Sequence, residues 1–167
     1  MNIRIGHGYD VHRFSAEVSA ESNCYIVLGG TKIPHDRRLL AHSDGDVVIH
    51  ALCDAILGGM GTGDIGSHFP DTDERYRNID SGDLLSKVVE MARQNGLELI
   101  NADITVVAQA PKLSPYRDAM REKLSNLISV DKTCINIKAT TSEGLGFAGR
   151  QEGIATYAVI LLGGRCE

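Results

Sequence analysis

One stretch governs what this chain can fold into. From Leu39 to Asp73 it reads LLAHSDGDVVIHALCDAILGGMGTGDIGSHFPDTD. Its centre places Val47, Val48, Ala51, Leu52, Ala55 and Ile56 at i, i+1, i+4, i+5 spacing, the apolar stripe of an amphipathic helix. Ser43, Asp44 and Asp46 are residue types that cap a helix start, and Gly58-Gly59 reads as its stop. His50 falls inside that helix, while His42 and His68 fall in the loops at its ends. An imidazole on a helix between Gly-rich acidic loops points to a metal site beside an anion site. Taken alone, one such His reads as a surface residue of a capped helix.

The remaining segments supply a scaffold. Ile3 and Ile5 alternate with Arg4 before Gly6, which reads as a strand running into a glycine-relieved turn. If Asp10 to His12 is extended, those two side chains share a face, since neighbours two apart on a strand do. Arg13 to Asn23 is polar and reads as a loop. Tyr25–Leu28 and Thr31–Ile33 flank Gly29-Gly30, a two-residue hairpin signal. Glu74 to Ile79 reads as loop. A helix starts near Ser81, with Leu84, Leu85, Val88, Val89 and Ala92 on one face and Gly96 as its stop. Ile104, Val106 and Val107 mark a buried strand over 100–110, broken by Pro111. Ser114-Pro115 reads as an N-cap and first-turn proline opening a third helix. Ile135–Ala139 and Ile154–Leu162 are strands, the last apolar enough to be central. The order β-β-β-α-α-β-α-β-β predicts an α/β fold, a two-layer sandwich of a mixed sheet with its helices on one face.

At 167 residues the chain reads as one domain, 1–167, able to bury roughly 70% of its unfolded surface. Lys and Arg number 17 against 22 Asp and Glu, so no basic stripe offers itself to nucleic acid. A phosphorylated ligand remains open to an acidic protein, because metals and backbone N–H groups also bind phosphate. Cys24, Cys53, Cys134 and Cys166 lack C-x-x-C spacing, which fits reduced thiols in a cytoplasmic protein. No run approaches the length of a membrane span, and MNIRIGHGYD lacks the apolar core of a targeting peptide.

Asp10, His12 and His50 make up the two-His, one-carboxylate set of catalytic zinc sites, in which a fourth position stays open. Ferrous iron accepts the same set, and a satisfied core or surface histidine remains the alternative. Asp46 and Asp54 lie one turn either side of His50, so either could hold its second ring nitrogen; otherwise they are a cap and a surface charge. Asp64-Ile65-Gly66 and Phe69-Pro70-Asp71-Thr72-Asp73 carry turn residues that could also grip a polyol. Ala108-Gln109-Ala110-Pro111-Lys112 ends a strand with small side chains that would let a flat base approach. Thr140-Thr141-Ser142-Glu143 offers hydroxyls for phosphate oxygens, and a carboxylate for a hard cation such as magnesium.

Read together, GHGYDVH, LLAHSDGDVVIHALCDAILG, GDIGSHFPDTD, AQAPK and KATTSEGLGFAGR resemble the 2-C-methyl-D-erythritol 2,4-cyclodiphosphate synthase family, across nearly the whole chain and in order. The resemblance implies a homotrimer with active sites shared between neighbours. It implies conversion of 4-diphosphocytidyl-2-C-methyl-D-erythritol 2-phosphate to the cyclic diphosphate with release of CMP. Asp10, His12 and His50 match the zinc ligands, and Asp10, Val11 and His12 also match a substrate-contacting segment. His42 and Ser43 match the phosphate-contacting loop, and the segments 64–66 and 69–73 the methylerythritol contacts. Ala108 to Lys112 with Leu113 and Ser114, and Thr140 to Glu143, match the cytidine and phosphate pocket. His42 and Thr141 match the groups assigned to transition-state stabilisation, and Glu143 the magnesium contact. Phe147 and Arg150 match a cavity along the trimer axis that can hold an isoprenoid diphosphate. Two other readings compete: a zinc-dependent phosphohydrolase, and a trimeric carrier of isoprenoid diphosphates without turnover.

Overall fold

The first strand, β1 (Ile3–Arg13), runs unbroken through both of its glycines in the computed structural model, which describes residues 3–20, 23–70, 72–76 and 79–164. The turn expected at Gly6 is absent. Gly6 and Gly8 serve a different end, the close approach of helix α1 (Val47–Met60). A Cβ on Gly6 would sit 1.8 Å from the Ala55 carbonyl oxygen, and one on Gly8 would sit 1.9 Å from that of Ala51. Without side chains at these two positions, helix backbone rests directly on strand backbone.

The strand then leads through the hairpin of β2 (Tyr25–Leu28) and β3 (Thr31–Pro34), which turns at Gly29-Gly30 as expected but stands apart from the main sheet. Asp46 locks the hairpin to α1. Its fully buried carboxylate accepts from the N–H groups of Gly29 (2.9 Å), Gly30 (2.7 Å), Val48 (3.1 Å) and Ile49 (3.0 Å), capping the helix while holding the turn. The helix does not stop at Gly58-Gly59; it ends with Gly61 in the left-handed region, φ 76°. Gly59 stays helical where a Cβ would press on Leu162 and Ile160 at about 3 Å, so here glycine is a packing residue.

A single turn, α2 (Ile65–His68), precedes α3 (Ser81–Gln94), which buries the apolar face read from the sequence. Glu74–Tyr76, expected as loop, forms a 3₁₀ turn. After β4 (Leu97–Val107) comes α4 (Arg117–Ile128), which starts later than Ser114-Pro115 predicts. The Tyr116 and Arg117 N–H groups both donate to the Leu113 carbonyl, so residues 113–116 are used up in a turn. The chain closes with β5 (Ile135–Thr140), a short α5 (Gly146–Gly149) and β6 (Gly153–Gly164).

The sheet has the order β1-β6-β4-β5; β6 pairs antiparallel with β1 and β4, and β4 pairs parallel with β5. It is mixed, and the last strand is central. Register places Gly6, Gly8, Asp10 and His12 on the face shared with Ile160, Ala158, Thr156 and Ile154. That face carries the helices and the core; Ile104, Ile137, Leu52 and Leu85 are fully or almost fully buried there. The opposite face behaves differently. Ile3, Ile5, Tyr9, Val11, Tyr157 and Val159 are each 40–73% exposed on one apolar patch over β1 and β6. On β4 and β5 the same face is polar, with Asn136 and Lys138 each donating to the Asp103 carboxylate.

Candidate functional site

The packing of α1 on β1 brings the three proposed ligands together. Asp10 and His12 follow the two glycines on the inner face of β1, and His50 sits one turn into the helix those glycines admit. Asp10 Oδ2 lies 2.9 Å from His12 Nε2 and 3.1 Å from His50 Nδ1, and the two nitrogens are 3.0 Å apart. Atoms bound about 2 Å from one tetrahedral ion stand about 3.3 Å from each other, so these residues fit a divalent metal with almost no movement. Among the described residues this is the one His, Cys, Asp and Glu cluster of that closeness.

The outer nitrogens of both imidazoles are engaged. His12 Nδ1 lies 3.2 Å from the Leu40 carbonyl oxygen, a partner that can only accept. His50 Nε2 lies 2.9 Å from the Ser81 hydroxyl oxygen and 3.1 Å from that of Ser43. The expected partners of His50 are elsewhere: Asp46 is occupied by four backbone N–H groups, and Asp54 accepts from the Ile65 N–H at 2.8 Å. Burial by itself would raise the Asp10 pKa, yet hydrogen bonds and charge from His12 and His50 hold it well below the usual carboxylate range. Burial would likewise lower His12, and the Asp10 hydrogen bond and charge raise it instead.

Around this cage lies a cavity of about 320 Å³ lined by His12, His42, Ser43, His50, Ile65, Gly66 and Phe69. Asp64 stands at its edge and caps α2, accepting from the Ser67 N–H (2.8 Å) and hydroxyl (2.7 Å). Those two bonds keep its pKa low. Phe69 meets Tyr76 edge to face at 5.2 Å. Pro70, Thr72 and Asp73 continue the same loop; Asp71 lies outside the described residues.

The base-and-phosphate candidates gather somewhere else. Because β4 and β5 are parallel, their C-terminal ends are neighbours, and the Ala108 N–H donates to the Thr140 carbonyl at 3.0 Å. Ala108, Gln109, Pro111, Lys112, Leu113 and Ser114 with Thr140 and Thr141 line a second cavity of about 460 Å³, and Ala110 lies in the same turn. The Thr141 hydroxyl donates to Glu143 Oε1 at 2.8 Å; Ser142 turns away and donates to the Leu145 carbonyl at 2.6 Å. Val11, Phe147 and Arg150 line a third cavity with Arg13 and Arg37, and there Arg150 Nε donates to Glu152 Oε1 at 2.8 Å. A single chain therefore does not bring the metal cage and the strand-end pocket into one cavity.

Sequence reasoning missed Ser81, which is fully buried, and the link it makes to Asp44. The only signal was a Ser one position after Asp80 at a helix start. It also missed Tyr76 and Leu84 on the cage cavity and Arg117 on the strand-end pocket. Among the described residues no helix is long and apolar enough to cross a membrane. Cys24, Cys53 and Cys134 are free thiols, and Cys166 lies outside the described residues.

A family model, that of the YgbB family, matches residues 3–163. The chain belongs to the YgbB family. It is 55% identical to the 2-C-methyl-D-erythritol 2,4-cyclodiphosphate synthase of Thioalkalivibrio sulfidiphilus, over 96% of this chain and 97% of the relative. Among solved structures it resembles the bifunctional IspDF of Campylobacter jejuni, with a TM-score of 0.88 and 45% identity, over 96% of this chain and 42% of that one. It also resembles a CDP complex of the Plasmodium falciparum IspF, with a TM-score of 0.83 and 35% identity over 98% and 97% of the two chains. The family resemblance read from the motifs thus holds, and so does the α/β fold.

Proposed function

We propose that this protein is a 2-C-methyl-D-erythritol 2,4-cyclodiphosphate synthase whose Asp10, His12 and His50 hold zinc. It converts 4-diphosphocytidyl-2-C-methyl-D-erythritol 2-phosphate to the cyclic diphosphate and CMP. The observation that carries the reading is the meeting of Asp10 Oδ2, His12 Nε2 and His50 Nδ1 within about 3 Å, in a cavity that also holds His42 and Ser43.

The substrate brings its own nucleophile. An oxygen of its 2-phosphate attacks the β-phosphorus, the new P–O bond closes the ring, and the bond to the α-phosphate breaks as CMP departs with the electron pair. Such a reaction needs placement and charge neutralisation more than covalent help. Asp10, His12 and His50 would hold zinc and Glu143 would contact magnesium; when bound, such ions would supply Lewis-acid polarisation of phosphate oxygens and neutralise charge on the leaving nucleotide. His42 and Ser43 hold phosphate beside the cage, and the Asp64 to Gly66 and Phe69 to Asp73 segments hold the methylerythritol. At the strand-end pocket the small Ala108 and Ala110 admit the cytosine, and Thr141, steadied by Glu143, holds the diphosphate in line.

Assembly as a homotrimer would join the two cavities. The apolar patch of Ile5, Tyr9, Val11, Tyr157 and Val159 is the kind of surface a monomer rarely leaves exposed, and three copies around an axis would cover it. In that arrangement Val11, Phe147 and Arg150 would come near the axis and accept an isoprenoid diphosphate. The free thiols, two of them buried, suit a cytoplasmic setting.

A zinc phosphohydrolase would need a base beside the cage. Asp46 is sealed by four N–H groups, and Asp44 is engaged by the Ser81 hydroxyl and N–H. The deciding experiment is turnover in heavy-oxygen water. Cyclisation leaves no label in either product, whereas hydrolysis places one heavy oxygen on a product phosphate. Label at the attacked phosphorus would reject the synthase reading.

A further inference from the structure

Among the described residues, the one buried hydroxyl that reaches the metal cage from outside the ligand-bearing elements belongs to Ser81, the first residue of α3. A hydroxyl has a single proton to donate. Ser81 Oγ is in short contact with the Asp44 carboxylate, the strongest acceptor it meets, so the proton goes to Asp44. Its backbone N–H donates to the other oxygen of the same carboxylate at 3.2 Å, which fixes the side chain's direction. The Ser81 oxygen is then left as an acceptor, and it faces His50 Nε2 at 2.9 Å.

We infer that Ser81, held by Asp44, is the positioning residue for His50. The chain of bonds runs from the Asp44 carboxylate through the Ser81 hydroxyl to His50 Nε2–H, and it leaves the lone pair of His50 Nδ1 pointing at Asp10 and His12. The pair does for His50 what the Leu40 carbonyl does for His12 Nδ1. Ser43 adds a second acceptor at 3.1 Å, but its hydroxyl also takes the Gly45 N–H at 3.3 Å and sits in a half-exposed loop. It lacks the carboxylate that directs Ser81. Asp44 lies in the loop that carries His42 and Ser43, so this arrangement also ties the proposed phosphate loop to the orientation of a metal ligand. The inference rests on the zinc reading of the cage, and its test keeps the two apart.

Zinc affinity of the metal-free full chain is measured by competition with a chromophoric chelator, and the cobalt(II)-loaded protein is examined by visible absorption. Wild type should bind one zinc; failure to bind any would reject the cage itself. Ser81→Ala should weaken zinc about 10- to 100-fold and shift the cobalt band, while circular dichroism stays native. Asp44→Ala should weaken zinc in the same sense but less, because Ser81 keeps its oxygen and loses only its direction. Leu85→Val, a core change on the same helix without a link to His50, should lower the melting temperature and leave both metal readouts unchanged. Wild-type zinc affinity and an unshifted cobalt band in Ser81→Ala would overturn the inference. Should Ser81→Ala fail to fold, Asp44→Ala decides on the same two readouts.

Discussion

The metal cage and the strand-end pocket are built on opposite terms. The cage sits between α1 and β1, with Asp10 and His12 half-buried and His50 and its partner Ser81 buried, all in one chain. The pocket at the ends of β4 and β5 is open, with Gln109, Lys112, Thr140, Thr141 and Glu143 all exposed and Thr141 and Glu143 bonded mainly to each other. One is finished by the fold of a single chain. The other is an exposed surface at the ends of two strands. This difference is what the proposed trimer would account for: a cage assembled within one chain, and a strand-end pocket that a neighbour would complete.

The largest effect should come from disturbing the contact on which the cage depends. Gly8→Val places a Cβ 1.9 Å from the Ala51 carbonyl, so α1 must move away from β1. We expect loss of stoichiometric zinc and about 3 kcal/mol of stability, read by metal analysis and thermal unfolding. A variant with native zinc content would show that the glycines do not set the cage.

Next comes the surface that would complete the pocket. Val159→Asp puts a charge in the middle of the apolar patch while leaving the core face untouched. Light scattering should find monomers that still bind zinc but turn over little substrate. An active monomer would abolish the distinction between the two regions.

Smaller, and sharper, is complementation. His50→Ala and Glu143→Ala chains should each be inactive alone, and random mixing of the two on co-expression, in a ring of shared sites, should restore about a quarter of wild-type activity. No recovery in hybrids verified by mass spectrometry would mean that each chain builds its whole site.

The smallest effect is a pH dependence confined to the cage. In the metal-free chain the His12 pKa is raised above 6.5, so its pairing with Asp10 contributes stability that is complete below that value and fades as pH rises through the folded pKa. Zinc must displace that proton, so apparent zinc affinity should climb over the same interval. Titration by calorimetry at several pH values checks this, and an affinity flat from pH 6 to 8 would contradict it. The strand-end pocket should show no matching change in CMP binding.

Some of this was legible in the sequence because it depends on short-range pattern. The stripe from Val47 to Ile56 needs only a period of 3.6 to become a helix, and Asp46 needs only to precede it to become the cap. Gly29-Gly30 turns a hairpin from its own torsion freedom, and Asp10 and His12 share a face because alternate residues on any strand do. The motifs that name the family are likewise local strings, and the model match over residues 3–163 upholds them.

What the sequence misread, it misread for lack of the partner. Gly6 looked like a turn because glycine relieves backbone strain anywhere, and only the helix lying 1.8 Å from its absent Cβ shows that space was the requirement. Asp46 and Asp54 read either as partners for His50 or as a cap and a surface charge; Asp46 is the cap, and because hydrogen bonds follow distance in space the nearest acceptor for His50 came from Ser81, 31 residues away. That the cage and the strand-end pocket lie in separate cavities of one chain is also a matter of packing. Helix and strand periods fix which residues share a face, but which faces meet is decided by packing one element on another.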